Sequence, residues 1–425
     1  MNYEEAMTFI HETAHFGSKL GLENIRELLA RLGNPQNRQK FIHIAGTNGK
    51  GTVTRTIAQI LECEGYKTGI YTSPFIYEFN ERIRIGGEYI SDSDLARLCE
   101  KVAEKCSEMT AEGRNHPTEF EVITAIAMLY FAEQKCDYTV LEVGLGGRLD
   151  ATNVIDDPLL CVITLLGFDH MQYLGNKLSE IAYEKCGIIK NGAPVIVYPY
   201  QEAEAMRVIE TEAKKRGSEM ILADKPNVKK CDLQGSVFDA EGFDGLHTAL
   251  IGEHMAYNIA TAVSAVLELR RLGVAVSDKS IYDGVSKVRW SGRFEVICKN
   301  PLFVLDGAHN LSGIEAFVKT VEKVAKSEKK VFIMGMLADK EYEESIKKAA
   351  PLADLYIAVD VPSPRTLSAE KLGAVAKEYN KNVYIAKSVN DAVTRALKEN
   401  AAIFAFGSLY MLGDVKKAFE KNKKV

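Results

Sequence analysis

Residues 42–55 read IHIAGTNGKGTVTR. An apolar run (Phe41, Ile42, Ile44, Ala45) meets Gly46-Thr47-Asn48-Gly49-Lys50-Gly51-Thr52, after which Ile57, Ile60 and Leu61 recur at helical spacing. The pattern predicts a strand, a glycine-rich loop and a helix. Glycines let backbone N–H groups turn inward around an anion, the helix N-terminus adds the positive end of its dipole, and Lys50 adds a full charge. The strict form G-x-x-x-x-G-K-[ST] is not met, because Gly51 stands between Lys50 and Thr52. An ordinary glycine-rich βα turn has no need of a lysine and a hydroxyl at these positions. The segment is therefore read as the phosphate-binding loop for a nucleoside triphosphate.

At 425 residues the chain exceeds usual single-domain size, so two cores are expected. A net charge of −5 offers no basic excess to displace counterions, which argues against nucleic acid. Runs such as Lys214-Lys215-Arg216 read as solvated helix ends. The 8 cysteines lack C-x-x-C spacing and read as reduced thiols, not a disulfide frame or zinc site. The N-terminus is polar and acidic (Asn2, Glu4, Glu5), and no apolar run approaches membrane-spanning length. A soluble, cytoplasmic enzyme with no membrane partner is expected.

Beyond the loop, strands are expected at 67–72, 138–143, 159–164 and 194–198, with a hairpin at 82–90 around Gly86-Gly87 and a helix at 119–132. Residues 228–250 read as short strands and turns. A break follows a helix at 254–269, and 289–301 carries Gly292, Pro301 and the one Trp. The β–α rhythm then restarts, with strands at 302–305, 330–334, 355–359, 383–386 and 402–406. Strands alternating with helices imply a mostly parallel α/β sheet whose ligands sit at the carboxyl ends of the strands.

Three further stretches carry candidate chemistry. In 141–153, LEVGLGGRLDATN, a strand delivers Glu142 to its carboxyl end and glycines allow close backbone approach. It is not G-x-G-x-x-G, since Leu149 holds the last glycine position, so a dinucleotide site is not indicated. A carboxylate ending a strand parallel to the phosphate-loop strand stands where a magnesium ligand is needed; capping a turn is its structural alternative. Asp169-His170 follows another strand end, and Lys185 lies one helix later. In the C-terminal part, Asp306-Gly307-Ala308-His309-Asn310 is again strand, loop, helix; Arg293 precedes it and Ser408 follows the last strand. His11-Glu12-Thr13-Ala14-His15 matches the zinc-protease pattern, but no third ligand is identifiable and the match is set aside as chance.

Together these segments resemble the folylpolyglutamate synthase/dihydrofolate synthase family, within the amide-forming Mur ligase superfamily. The resemblance spans nearly the whole chain and rests on residues 45–52, 72–74, 81–83, 141–153, 169–170, 184–190, 292–294, 306–310 and 335–340. It implies a P-loop-type, mostly parallel sheet domain over 1–296 and a smaller Rossmann-like, doubly wound domain over 297–425. It implies that Thr47, Asn48, Gly49, Lys50, Gly51 and Thr52 hold ATP, with Asn258, Arg293 and Asp306 on the same nucleotide. Ser73, Glu142 and His170 match the family's magnesium ligands. Lys185 matches a lysine carboxylated by CO₂, which would turn a repelling ammonium into a group that supports the metal. The folate or dihydropteroate would lie at Lys19, Leu20, Gly21, Thr118, Glu119, Phe120, Glu121, Leu149, Asp150 and Ala151. Arg82, His309 and Ser408 match positions near the incoming glutamate. The catalytic residues implied are Lys50, Lys185 and His309. Phe75 departs from the family, which usually has His after Ser-Pro.

The implied reaction is ATP-dependent amide formation: a carboxylate is phosphorylated and L-glutamate displaces the phosphate. Its partners would be small molecules, and the chain a monomer. The rival readings are a cell-wall Mur ligase acting on a UDP-linked peptide, and a nucleotide-switched binding protein without ligase activity.

Overall fold

The strand Phe41–Ala45 (β1) is buried at all five positions, as an apolar run must be when helices cover both faces of a parallel sheet. Its neighbours follow the same logic: Thr68–Tyr71 (β2), Tyr138–Glu142 (β5) and Leu160–Ile163 (β6) are buried throughout. Between β2 and β5 in the chain lies the hairpin Ile83–Ile85 (β3) and Glu88–Tyr89 (β4), where Arg84 faces Tyr89 in antiparallel register. Val195–Val197 (β7) and Met220–Leu222 (β8) complete a sheet of order β4-β3-β2-β5-β1-β6-β7-β8, parallel from β2 to β8. The computed structural model describes residues 1–17, 21–326 and 328–423.

One face of this sheet packs against the helices Tyr3–Glu12, Glu23–Arg31, Asp92–Ala111 and Glu119–Glu133, in a core that includes Ile10, Leu28, Leu95, Val122 and Phe131. Helix Glu119–Glu133 shows why hydrophobic patterning alone has limits: eleven of its residues are buried, Glu121 among them. Its Thr118 hydroxyl accepts the Glu121 N–H, while the Glu121 carboxylate accepts the Thr118 N–H and O–H. That reciprocal cap satisfies a buried acid inside an apolar helix. A second core, with Ile163, Leu178, Ile188 and Ile209, carries the helices Leu178–Cys186 and Ala203–Lys215.

By its contacts the chain divides into two compact units. The first comprises Met1–Pro226, Ala240–Phe243 and Tyr257–Val288; the second comprises Asn227–Asp239, Asp244–Ala256 and Arg289–Val425. The second therefore gathers most of Asn227–Asp232 (β9), Gly235–Ala240 (β10) and Phe243–Thr248 (β11), a three-stranded sheet of order β11-β10-β9. The expected domain boundary at 296/297 falls inside Glu295–Lys299 (β12), a strand that belongs to the second unit. Five more strands follow: Leu302–Leu305 (β13), Lys330–Met334 (β14), Leu355–Ala358 (β15), Val383–Ile385 (β16) and Ala402–Phe406 (β17). Their order is β12-β13-β17-β14-β15-β16, with only β12 antiparallel. An aromatic cluster fills this core, Phe317 lying 4.2 Å from Phe406 and 5.9 Å from Phe332 between ring centroids.

Candidate active site

Register, not sequence spacing, gathers the first unit's candidate residues. Tyr71 pairs with Leu141, Ile44 with Glu142, and Ala45 with Ile163, so β2, β5, β1 and β6 end together. Ser73, Glu142, the 46–49 loop and the segment holding Asp169 and His170 thus emerge from four adjacent strands at one sheet edge. This is where a parallel α/β sheet places ligands.

The loop itself is drawn tight by polar contacts. Thr47 and Asn48 donate their N–H groups to Leu165 O at 3.0 and 3.1 Å, so these two amides are turned to the protein and not inward to an anion. The helix Lys50–Glu64 follows, and its hydrogen bond back to the loop runs from Val53 N–H to Gly49 O. Gly49 adopts φ +90°, and a side chain there would also strike the Asn258 amide; a side chain at Gly46 would collide with Thr164. Asn258 therefore lies directly against the loop.

Two amines converge on one carbonyl. Lys50 Nζ donates to Gly46 O at 3.1 Å and Thr47 O at 3.2 Å, while Lys185 Nζ donates to the same Gly46 O at 2.8 Å. Lys185 is buried, and burial together with the Lys50 charge brings its pKa down to about 7. Gly147 makes this placement possible, because a side chain there would press on the carbonyls of Glu184 and Lys185 at 2.8 Å. Arg148 N–H to Glu184 O (2.7 Å) and an Arg148–Glu184 ion pair (2.8 Å) complete the seat of that helix end.

Glu142 is buried at the end of β5, Ser73 is half-buried after β2, and His170 sits at φ +51° with its N–H donated to the Asp169 carboxylate at 2.8 Å. Among the described residues no three His, Cys, Asp or Glu side chains form a closed metal cage. The Ser73 hydroxyl and the Glu142 carboxylate, at the ends of adjacent strands, are oxygen donors of the kind magnesium takes beside waters and phosphate oxygens. The His170 imidazole, farther along the segment after β6, is a softer donor than that ion prefers.

The residues assigned to the acceptor are spread among several tasks. Lys19 and Leu20 lie outside the described residues; Gly21 lies at their edge. Thr118 and Glu121 cap one another as described above, and Glu119 lies 3.8 Å from His11. Phe120 packs over Gly144, where a side chain would collide with its ring. Leu149 is half-buried and Ala151 buried, while the Asp150 carboxylate accepts Leu145 N–H at 2.7 Å and Thr152 N–H at 3.0 Å. Arg82 stacks on Phe75 and Phe79, its guanidinium carbon 5.3 and 5.4 Å from the ring centres, and its buried Nε has no acceptor among the described residues. Phe75, the departure from the family pattern, thus supplies a shelf for Arg82. Glu81 organises the turn after Ser73 by accepting the N–H groups of Ile76, Tyr77 and Glu78. No pattern in the sequence marks Glu81 as buried, since in 78–82 only Phe79 is apolar.

In the second unit, the loop after β13 is closed by Asp306. Its buried carboxylate accepts Phe294 N–H and Ala308 N–H, both at 2.7 Å, and burial raises its pKa against the opposing pull of Arg293. Arg293 donates to Gly292 O at 3.0 Å. His309 Nδ1 lies 2.7 Å from Gly307 O; a carbonyl only accepts, so Nδ1 carries the proton and Nε2 is the basic nitrogen. Asn310 caps the helix Leu311–Val324 through Gly313 N–H. Ser408 follows β17, next to β13 in the sheet, so His309 and Ser408 share one sheet edge; its buried hydroxyl accepts Tyr410 N–H at 3.3 Å.

These arrangements can be set beside known proteins. Residues 44–266 match the Mur ligase middle domain, and 292–409 match the Mur ligase glutamate ligase domain. The chain is 35% identical to the dihydrofolate synthase/folylpolyglutamate synthase of Bacillus subtilis, over 98% of each sequence. The fold superposes on folylpolyglutamate synthase from Thermotoga maritima with a TM-score of 0.86 and 36% identity, covering 99% of this chain and 97% of that one. The Mycobacterium tuberculosis folylpolyglutamate synthase complexed with ADP gives a TM-score of 0.88 at 27% identity, covering 98% and 99%. Likeness at this level over both units, together with the phosphate loop and the strand-end residues in register, places the chain in the folylpolyglutamate synthase/dihydrofolate synthase family of the Mur ligase superfamily.

Proposed function

We propose that this protein is an ATP-dependent ligase that adds L-glutamate to folates, and to dihydropteroate as well. The observation that carries the reading is the pair of amines, Lys50 and Lys185, brought onto the Gly46 carbonyl of a phosphate loop. Lys50 can turn from that carbonyl to a γ-phosphate, while the Lys185 amine beside it is the group to be carboxylated. Residues to about 296 supply most of the nucleotide and acceptor side and 297–425 most of the glutamate side, the exceptions being Asp306, assigned to the nucleotide, and Arg82, assigned to glutamate.

The acceptor carboxylate oxygen attacks the γ-phosphorus, and the bond from that phosphorus to the leaving ADP oxygen breaks. Lys50 and the N–H groups at the start of Lys50–Glu64 stabilise the charge that develops on the phosphoryl oxygens. Glu142, Ser73 and His170 would hold magnesium, whose chemistry is to neutralise the β- and γ-phosphate oxygens. Lys185 is neutral to a useful extent near pH 7, so its amine can add to CO₂, forming the N–C bond and releasing one proton. The resulting carbamate would carry negative charge toward the cation site. The glutamate amine then attacks the acyl carbon, phosphate leaves, and the nitrogen loses a proton; His309, through Nε2, stands as the group for orienting that amine. Arg82 and Ser408 would bind glutamate. Thr47, Asn48, Gly49, Gly51, Thr52 and Asn258 shape the phosphate side, with Arg293 and Asp306 assigned to the nucleotide.

The test is a product assay with dihydropteroate and tetrahydrofolate offered separately with ATP, magnesium and glutamate. Release of ADP matched by one amide-linked glutamate is expected with at least one of them. Turnover of a UDP-linked peptide acceptor alone, or ATP binding with no acceptor-stimulated hydrolysis, would overturn the reading.

A further inference from the structure

We infer that His43 and Thr152 are positioning residues for the acceptor side of the site, holding the 144–151 loop in place through Asp150. The inference rests on the ligase reading, in which Leu149, Asp150 and Ala151 border the acceptor.

His43 is the one polar residue of β1, and it is fully buried, as is Thr152. Its Nε2 lies 2.9 Å from Thr152 Oγ1, which lies 2.6 Å from Asp150 Oδ1. The ordering of protons follows from the partners. A carboxylate that collects the N–H groups of Leu145 and Thr152 acts as an acceptor, so the Thr152 hydroxyl donates to it. The hydroxyl oxygen must then accept from His43, which fixes the ring as the Nε2–H tautomer. Its Nδ1 is left without a partner among the described residues. Burial holds the imidazole uncharged, its pKa brought down to about 3.

The result is a chain of hydrogen bonds from the strand that feeds the phosphate loop to the backbone of the glycine loop, converging on Asp150: His43 donates to Thr152 and Thr152 to Asp150, which also accepts Leu145 N–H. The next residue widens its reach. Asn153 donates through Nδ2 to Arg148 O at 3.0 Å and Gly187 O at 3.1 Å, bridging the same loop to the helix end that bears Lys185. A core that needed only volume here would use an apolar pair, because a partly satisfied polar network is costly to bury. Its presence makes sense if the loop must hold one conformation for an acceptor to bind.

The experiment compares the full-length wild type with Thr152→Val, Thr152→Ser, and the double variant His43→Leu with Thr152→Val. It reads the KM of the folate acceptor, the KM of ATP, the thermal midpoint, and amide exchange at Leu145. Thr152→Val should raise the acceptor KM roughly tenfold and speed Leu145 exchange by a similar factor, with the KM of ATP unchanged. Thr152→Ser, which keeps the hydroxyl, should restore both. In the double variant no buried donor is left unpaired, so the thermal midpoint should recover while acceptor KM and Leu145 exchange stay raised. Unchanged Leu145 exchange in Thr152→Val, or an acceptor KM that returns with the thermal midpoint in the double variant, would overturn the inference. A wild type inactive on every folate acceptor would overturn the ligase reading instead, and the exchange measurement would still decide whether the chain of hydrogen bonds holds the loop.

Discussion

The loop at 46–49 and the loop at 306–310 are both strand, turn and helix, yet groups of opposite sign close them. In the first unit two lysine amines lie on the Gly46 carbonyl. In the second, the Asp306 carboxylate lies on the N–H groups of Phe294 and Ala308. The difference decides which ligand each can take. A Lys50 ammonium resting on a carbonyl can turn to a phosphate, gaining charge-assisted hydrogen bonds. A carboxylate that caps its own loop's N–H groups removes the donors an anion would need. On the proposed reading the first loop would take the triphosphate, and the second would present His309 and Ser408 to the substrate with an amine.

That contrast can be broken most directly at Lys50. Lys50→Ala should reduce acceptor-dependent ADP release by about a thousandfold, the upper range for removing one preorganised charge-stabilising donor. Steady-state rates at saturating ATP check this, and a rate near wild type would remove Lys50 from the chemistry.

Lys185 sharpens the contrast through pH. Its pKa is lowered from 10.5 to about 7, so the folded state holds fewer protons than the unfolded chain between those values. Stability should therefore fall as pH drops from 10.5 toward 7, by about 1.4 kcal/mol per pH unit at most, and the slope should level off below 7. Lys185→Met should abolish this slope in denaturant titrations. In the wild type, activity should rise with pH through about 7 and with added bicarbonate, as the neutral amine becomes available. The Met variant should lose roughly a hundredfold in rate and respond to neither.

The smallest effect belongs to the second loop. His309→Ala should raise the KM of glutamate about tenfold, the scale of one lost hydrogen bond to a charged group, and leave ATP binding by the first unit intact. Separate titrations of glutamate and nucleotide distinguish the two. An equal loss of ATP affinity would show that the loops are not divided as argued.

The elements that carry the candidate site were legible because glycine, lysine and strand-terminal acids carry local signals. The strands at 302–305, 330–334 and 402–406 coincide with β13, β14 and β17 to the residue. By contrast, the helix Asp92–Ala111 goes unassigned from sequence, because charged residues dilute the buried stripe of Leu95, Cys99, Val102, Cys106 and Met109. It also assigns nothing to β12, whose antiparallel pairing with β13 depends on register across a turn. Thr118, Glu121 and Asp150 stand among the acceptor residues by resemblance; that their side chains also cap a helix start and tie a loop is a matter of burial, which sequence spacing does not carry.

From its own letters the chain determines a phosphate loop, two rounds of alternating strand and helix, and an acid at the end of a strand, since backbone preference and hydrophobic period are local properties. Only the folded state decides that Lys185 meets Lys50 on one carbonyl and that His43 reaches Asp150 through Thr152. Those meetings depend on parallel register between strands distant in the chain. They also depend on burial, which with the Lys50 charge brings the Lys185 pKa down to about 7 and holds the His43 imidazole uncharged.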